Sequence, residues 1–208
     1  PLPPGSDGRG GVRTPGAARP GVRVTALGGG HGLYASLSAL RLVAGHLTAV
    51  VTVADDGGSS GTIRKEMAVL PPGDLRMALA ALCDDTDWGR TWAQVMQHRF
   101  RSTEVPAHEA TLDNHALGNL LIVALWELLG DPVDGLRWAG ALLRAHGEVL
   151  PISRTPLTIE GDVLSSDAEG RLRTRRVEGQ VALARAALEG RVTGVRLNPS
   201  DAVPAPEA

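Results

Sequence analysis

An α/β fold is predicted, Rossmann-like, with a mostly parallel sheet, flanking helices and a small β-hairpin insertion. Three observations predict it. A short β-prone run, Val22-Arg-Val-Thr-Ala-Leu27, breaks into Gly28-Gly29-Gly30-His31-Gly32. Leu33, Leu37 and Leu40 then recur at helical spacing, with Gly45 as a stop. A second apolar run, rich in β-branched residues, follows at residues 47–53. Strand, glycine turn, helix, strand is the βαβ unit from which parallel sheets are made.

Residues 1–21 are rich in Pro, Gly and Arg without periodicity and read as a disordered leader. Residues 22–208 read as one nucleotide-binding α/β domain. After the second strand comes a polar loop, Ala54-Asp55-Asp56-Gly57-Gly58-Ser59-Ser60-Gly61, and then a helix over 62–68. Pro71-Pro72-Gly73-Asp74 is a turn whose Asp74 can cap a helix over 75–83. Residues 91–99 read as helical. Residues 115–129 are apolar on nearly every face and predict a buried helix, ended by Gly130-Asp131-Pro132. Residues 133–146 continue helical and 149–152 look like a strand. Residues 157–164 and 172–177, separated by Ser-Ser-Asp-Ala-Glu-Gly, form the hairpin. A helix over 180–188 and a parallel strand over 192–197 close the pattern.

Composition narrows the function classes. The chain has 208 residues, 43% of them hydrophobic, enough for one sizeable core. A net charge of −2 gives no bulk attraction to nucleic acid or anionic membrane, and 3% aromatic content leaves few stacking platforms. Cys83 is the one cysteine, so no disulfide forms within the chain and a reducing, cytoplasmic setting is expected. No apolar run reaches the roughly 18 residues of a membrane span. The histidines show no metal-ligand spacing, so zinc is not expected. Trp88, Trp92, Trp126 and Trp138 fall on helical segments and are expected in the core.

The glycine loop is the first candidate site. Gly30-His31-Gly32-Leu33-Tyr34-Ala35 fits G-x-G-x-x-A, with Gly28 and Gly29 in front. Glycine lets backbone N–H groups approach an anion, and the helix N-terminus behind adds positive potential. A tight turn without ligand is the plainer alternative. Asp55 and Asp56, at the end of the second strand, can take a ribose hydroxyl or hold Mg²⁺ beside phosphates; the plain alternative is an aspartate turn. Ser59 and Ser60 add hydroxyls to that loop. His115 and Asn119 lie four apart, on one face of the apolar helix, with Gly118 between them. They contact either a ligand or a neighbouring loop. Asp74 and Arg76 are weaker candidates. Arg171-Leu-Arg-Thr-Arg-Arg176 reads as a solvated hairpin face, with docking of a partner as the alternative.

These motifs together resemble one family. Gly28-Gly-Gly-His-Gly-Leu33, Val51-Thr-Val-Ala-Asp-Asp-Gly-Gly-Ser-Ser-Gly61, Pro71-Pro-Gly-Asp-Leu-Arg76, His115-Ala-Leu-Gly-Asn-Leu-Leu121, Val149-Leu-Pro151 and Asn198-Pro199 occur in the order and spacing of the YvcK-type gluconeogenesis factors. Those are relatives of the CofD 2-phospho-L-lactate transferases. Gly-Gly-Ser-Ser-Gly after the paired aspartates resembles the YvcK side. The resemblance implies a cytoplasmic regulator that binds UDP-sugars and supports cell shape and wall synthesis on gluconeogenic carbon sources. The alternative it implies is a Mg²⁺-dependent transferase acting on a nucleotide diphosphate-linked substrate. The implied cleft residues are Gly28, Gly29, Gly30, His31, Gly32, Asp55, Asp56, Ser59, Ser60, His115, Gly118 and Asn119. His31 stands where the family usually has Thr, and Met77 where it usually has Asn. The resemblance also implies a further strand and loop beyond residue 208, so truncation, an open sheet edge and self-association are expected.

Overall fold

The computed structural model describes residues 21–103, 111–166 and 170–208. Residues 1–20 of the expected leader lie outside the described residues. Two three-stranded sheets organise the rest. The first is parallel, in the order β1-β2-β3, from β1 (Arg23–Gly28), β2 (His46–Val51) and β3 (Glu148–Pro151). Helix α1 (Gly30–Leu40) makes the first crossover. The second crossover carries α2 (Gly58–Met67), α3 (Pro72–Leu82), α4 (Asp87–Gln97), α5 (Leu117–Leu129) and α6 (Pro132–Leu143).

The predicted hairpin is present as β4 (Thr158–Ser166) and β5 (Leu172–Glu178), followed by α7 (Gln180–Glu189) and β6 (Arg191–Asn198). The strand expected at 192–197 is present but is not parallel. β6 runs antiparallel to β4, giving a second sheet in the order β5-β4-β6. Alternating polarity marks a strand but names no partner, and β4 offers its free edge to β6. Asp162, in the middle of β4, pairs with both Arg176 of β5 and Arg196 of β6, on either side of it across the sheet.

The main core lies between the parallel sheet and the helices. Leu47, Ala49, Val51 and Val149 point from the strands into a cluster with Leu33 and Leu37 of α1, Leu75, Leu79 and Leu82 of α3, Ile122 of α5 and Leu136 of α6. α3 is buried on nearly every side. β1 is an edge strand, and Leu27 on it is 69% exposed. Trp126 is in the core and Trp92 packs against it, but Trp88 and Trp138 are exposed, contrary to expectation. Trp88 satisfies its indole N–H on the Leu142 carbonyl and lies under Arg144, so one face stays wet at little cost. No helix among the described residues is long and apolar enough to cross a membrane.

Candidate functional site

The parallel strands end at the glycine loop. Gly28 has φ +149° and Gly30 φ +60°, backbone that only glycine adopts without strain. Gly29 is extended, but a Cβ there would lie 2.5 Å from the Thr52 methyl and would collide with the Asp74 carboxylate. The loop is therefore tight because α3 presses on it. His31 and Gly32 are exposed in the first turn of α1.

Three helix starts meet here. α2 begins at Gly58 rather than at 62, so Ser59, Ser60 and Gly61 are helical and buried instead of forming a loop. α3 begins at Pro72, so Asp74 is in its first turn and is not its cap. Ser60 Oγ accepts the Gly73 N–H at 3.0 Å, joining the first turns of α2 and α3. The Asp74 carboxylate lies against Gly29 and faces the Gly30 N–H, bringing α3 onto the start of α1. None of these three helices has a side-chain cap, whereas Thr86 caps α4 and Asp131 caps α6. Pro72 has no N–H and Ser60 takes that of Gly73, so free N–H donors beside a positive helix end are left mainly in the first turns of α1 and α2.

Asp55 and Asp56 part company. Asp55 accepts the Gly57 N–H at 3.0 Å, and its other oxygen faces Gly73, where a Cβ would come within 3.1 Å. Asp56 instead accepts the Val181 N–H at 3.1 Å, at the start of α7. Asp56 thus caps a helix of the second sheet, and the two neighbouring carboxylates do not form one chelate. Asp74, a weaker candidate from sequence, is the carboxylate beside Asp55. Burial, and then the Asp55 charge, lift the Asp74 carboxyl above its ordinary value. The signal for it was Pro72 at the first helical position, which moves the helix start ahead of Asp74.

His115 precedes α5, so it does not share a helical face with Asn119 as the spacing suggested. Both nevertheless reach Ser59. Asn119 Nδ2 donates to Ser59 Oγ at 3.1 Å, and His115 Nδ1 lies 3.2 Å from the same oxygen. Asn119 Oδ1 accepts from Arg76 Nε at 2.9 Å. Arg76 also donates to Gln97 and, at 3.5 Å, to the Met96 carbonyl. Burial pushes the guanidinium down to about 10, so it stays charged at neutral pH. Gly118 serves this network by packing: a Cβ would stand 2.6 Å from the Met96 carbonyl oxygen and 2.8 Å from Arg76 Cδ. His115, Asp56, Thr62 and Lys65 line a polar cleft of about 370 Å³ beside α2. A cleft of about 520 Å³ opens at the amino ends of the parallel strands, lined by Arg23, His46, His146 and Glu148. It lies at the opposite end of the sheet from the glycine loop, where ligands of open α/β sheets do not usually bind. Among the described residues no group of three or more His, Cys, Asp or Glu side chains is placed to hold a metal ion.

Comparison with known proteins agrees with this architecture. A family model described as 2-phospho-L-lactate transferase CofD matches residues 24–208. A putative gluconeogenesis factor of Mycobacterium tuberculosis is 51% identical over 178 residues, covering 86% of this chain and 49% of that protein. The gluconeogenesis factor of Listeria monocytogenes is 40% identical over 141 residues, covering 68% of this chain and 41% of that protein. The crystal structure of protein BH3568 from Bacillus halodurans superposes with a TM-score of 0.73 at 34% identity, over 89% of this chain and 54% of that one. The chain therefore spans about half the length of the curated relatives it matches. With the family model matched over almost all of the described residues, the chain belongs to the CofD family, and its similar relatives carry the name gluconeogenesis factor.

Proposed function

We propose that this chain binds a nucleotide sugar, a UDP-sugar in the first instance, as a cytoplasmic regulatory factor for growth and cell shape on gluconeogenic carbon sources. The observation that carries this reading is the meeting of the first turns of α1, α2 and α3, none capped by its own N-cap side chain, at the carboxyl end of the parallel sheet. That arrangement suits a diphosphate, whose oxygens accept from free backbone N–H groups. The Gly30 N–H faces the Asp74 carboxylate, so the phosphates are left the N–H groups of His31 and Gly32 and the first turn of α2. Asp55 and Asp74 would repel a bare diphosphate. Asp55 and Asp74 would hold Mg²⁺ there, whose charge would offset that repulsion, since Mg²⁺ is commonly held by one or two carboxylates plus substrate phosphates. Calorimetry with UDP-N-acetylglucosamine, with and without Mg²⁺, tests the reading. Saturable heat is expected, and no heat at millimolar ligand overturns it.

The raised Asp74 carboxyl beside Asp55 favours a second reading, a transferase acting on a nucleotide diphosphate-linked substrate. Here the two carboxylates would position the metal and the acceptor hydroxyl, with catalysis mainly by placement and charge. Release of nucleotide from GDP- or UDP-linked substrates in Mg²⁺, abolished by Asp55→Asn, would establish it. Asp56→Asn should leave such turnover largely intact, because Asp56 is committed to α7.

A further inference from the structure

The polar network behind the cleft has a direction. Arg76, Asn119 and Ser59 are 4%, 1% and 6% exposed, so water does not complete their hydrogen bonds. A guanidinium can only donate. Arg76 Nε therefore requires the oxygen of the Asn119 amide, at 2.9 Å, which turns the amide nitrogen toward Ser59 Oγ at 3.1 Å. The reverse amide orientation would set donor against donor. The Ala116 N–H, at the start of α5, donates to the same Ser59 oxygen at 3.3 Å. A hydroxyl oxygen has two lone pairs, and these two donors occupy both. His115 Nδ1, 3.2 Å away, would be a third donor if it carried a proton. The Ser59 hydroxyl must instead donate to Nδ1, and the neutral ring then carries its proton on Nε2.

We propose that the Arg76–Asn119–Ser59 relay locks neutral His115 as the Nε2–H tautomer, making it a positioned hydrogen-bond donor to an acceptor oxygen of a ligand in the cleft beside α2. At that nitrogen His115 is thereby not a proton acceptor. The ligand it suits presents phosphoryl oxygen, which Lys65, on the same cleft, also complements. The identity of that ligand rests on the nucleotide-sugar reading; the tautomer does not. Gly118 lets the relay form, because any side chain there would meet Arg76 Cδ and Cγ.

The test is long-range nitrogen–proton correlation spectroscopy of the full chain labelled with ¹⁵N-histidine. His115→Gln assigns the His115 resonances among the six histidines. Wild type should show a pyridine-type Nδ1 and a protonated Nε2 at His115; a protonated Nδ1 overturns the proposal. Asn119→Asp is nearly isosteric and still accepts from Arg76, but it accepts from Ser59 where the amide donated. It should draw the Ser59 proton away and move the His115 proton to Nδ1. An unchanged tautomer overturns the relay. If that variant does not fold, Ser59→Ala should leave His115 averaging between tautomers, and a persistent pure Nε2–H form overturns the proposal equally. Addition of UDP-N-acetylglucosamine should shift the Nε2 resonance. Calorimetric binding without that shift overturns the donor role. Absence of calorimetric binding overturns the nucleotide-sugar reading alone, since the relay is decided by the ligand-free spectra.

Discussion

Around the parallel sheet, Leu37, Leu75, Leu79, Leu82, Met96, Ile122 and Leu143 are buried in one continuous cluster with the strand residues. Behind the antiparallel sheet the buried cluster is Val163, Val177 and Ala186, with Leu183 and Val192 partly covered. The first half can hold its backbone against strain, and the site with its positive-φ glycines sits on it. The second half buries few apolar side chains and is tied to the first. Asp56 is one of the ties: its peptide belongs to the site loop and its carboxylate to α7. Arg64 to Thr158 at 2.9 Å is another. Stability should therefore be uneven, with β4–β6 and α7 opening before the parallel half.

The largest effect should come from the main core. Leu79 is essentially fully buried against the sheet, so Leu79→Ala should cost about 2–5 kcal/mol in urea unfolding. A loss well under that would mean the parallel half is as loosely packed as the other. Gly118→Ala comes next. Its Cβ meets a backbone carbonyl at 2.6 Å, which cannot yield as a flexible side chain can, and about 1–3 kcal/mol of destabilisation is expected. Wild-type stability in that variant would show that α4 and α5 have room to move apart.

Asp56→Ala sharpens the comparison itself. Loss of a helix cap costs about 1 kcal/mol, and the loss should be local. Amide exchange should accelerate in α7 and in β4–β6, while β1, β2 and α3 keep their protection. Uniform acceleration would mean that the two halves open together and that Asp56 is no joint.

The same contrast separates what was legible in the sequence from what was not. β1, α1 and β2 follow from local pattern, because an apolar run, a glycine break and a heptad-like leucine spacing each specify one element. The hairpin and α7 follow likewise. The start of α2 does not: Gly58-Ser59-Ser60-Gly61 are poor helix formers. They are held helical by partners far along the chain, Gly73 for Ser60 and Asn119 for Ser59. His115 and Asn119 were singled out by their polarity in an apolar stretch. What unites them is Ser59, distant in sequence, and no spacing rule reports that. The role of Asp56 was hidden for the same reason, because its partner Val181 lies in the other half.

Asp74 gives the smallest effect and the most specific one. Burial and the neighbouring Asp55 raise its carboxyl pKa above the ordinary 3.8, so the folded protein binds this proton more tightly than the unfolded chain. The folded state then holds more protons, and stability falls as pH rises from the ordinary value through the raised one. Above that window the full cost of the charge is present; below 3.8 it is absent. Asp74→Asn keeps a carbonyl oxygen for the Gly30 N–H and removes the charge. Its melting temperature should exceed that of wild type at pH 7. The gain should vanish below the ordinary carboxylate value. An equal gain at pH 7 and pH 3 would mean that packing, not charge, is responsible. If Asp74 is kept for a ligand, the stabilised variant should also bind UDP-N-acetylglucosamine with Mg²⁺ more weakly, since a charge held at a cost in the fold is expected where function uses it.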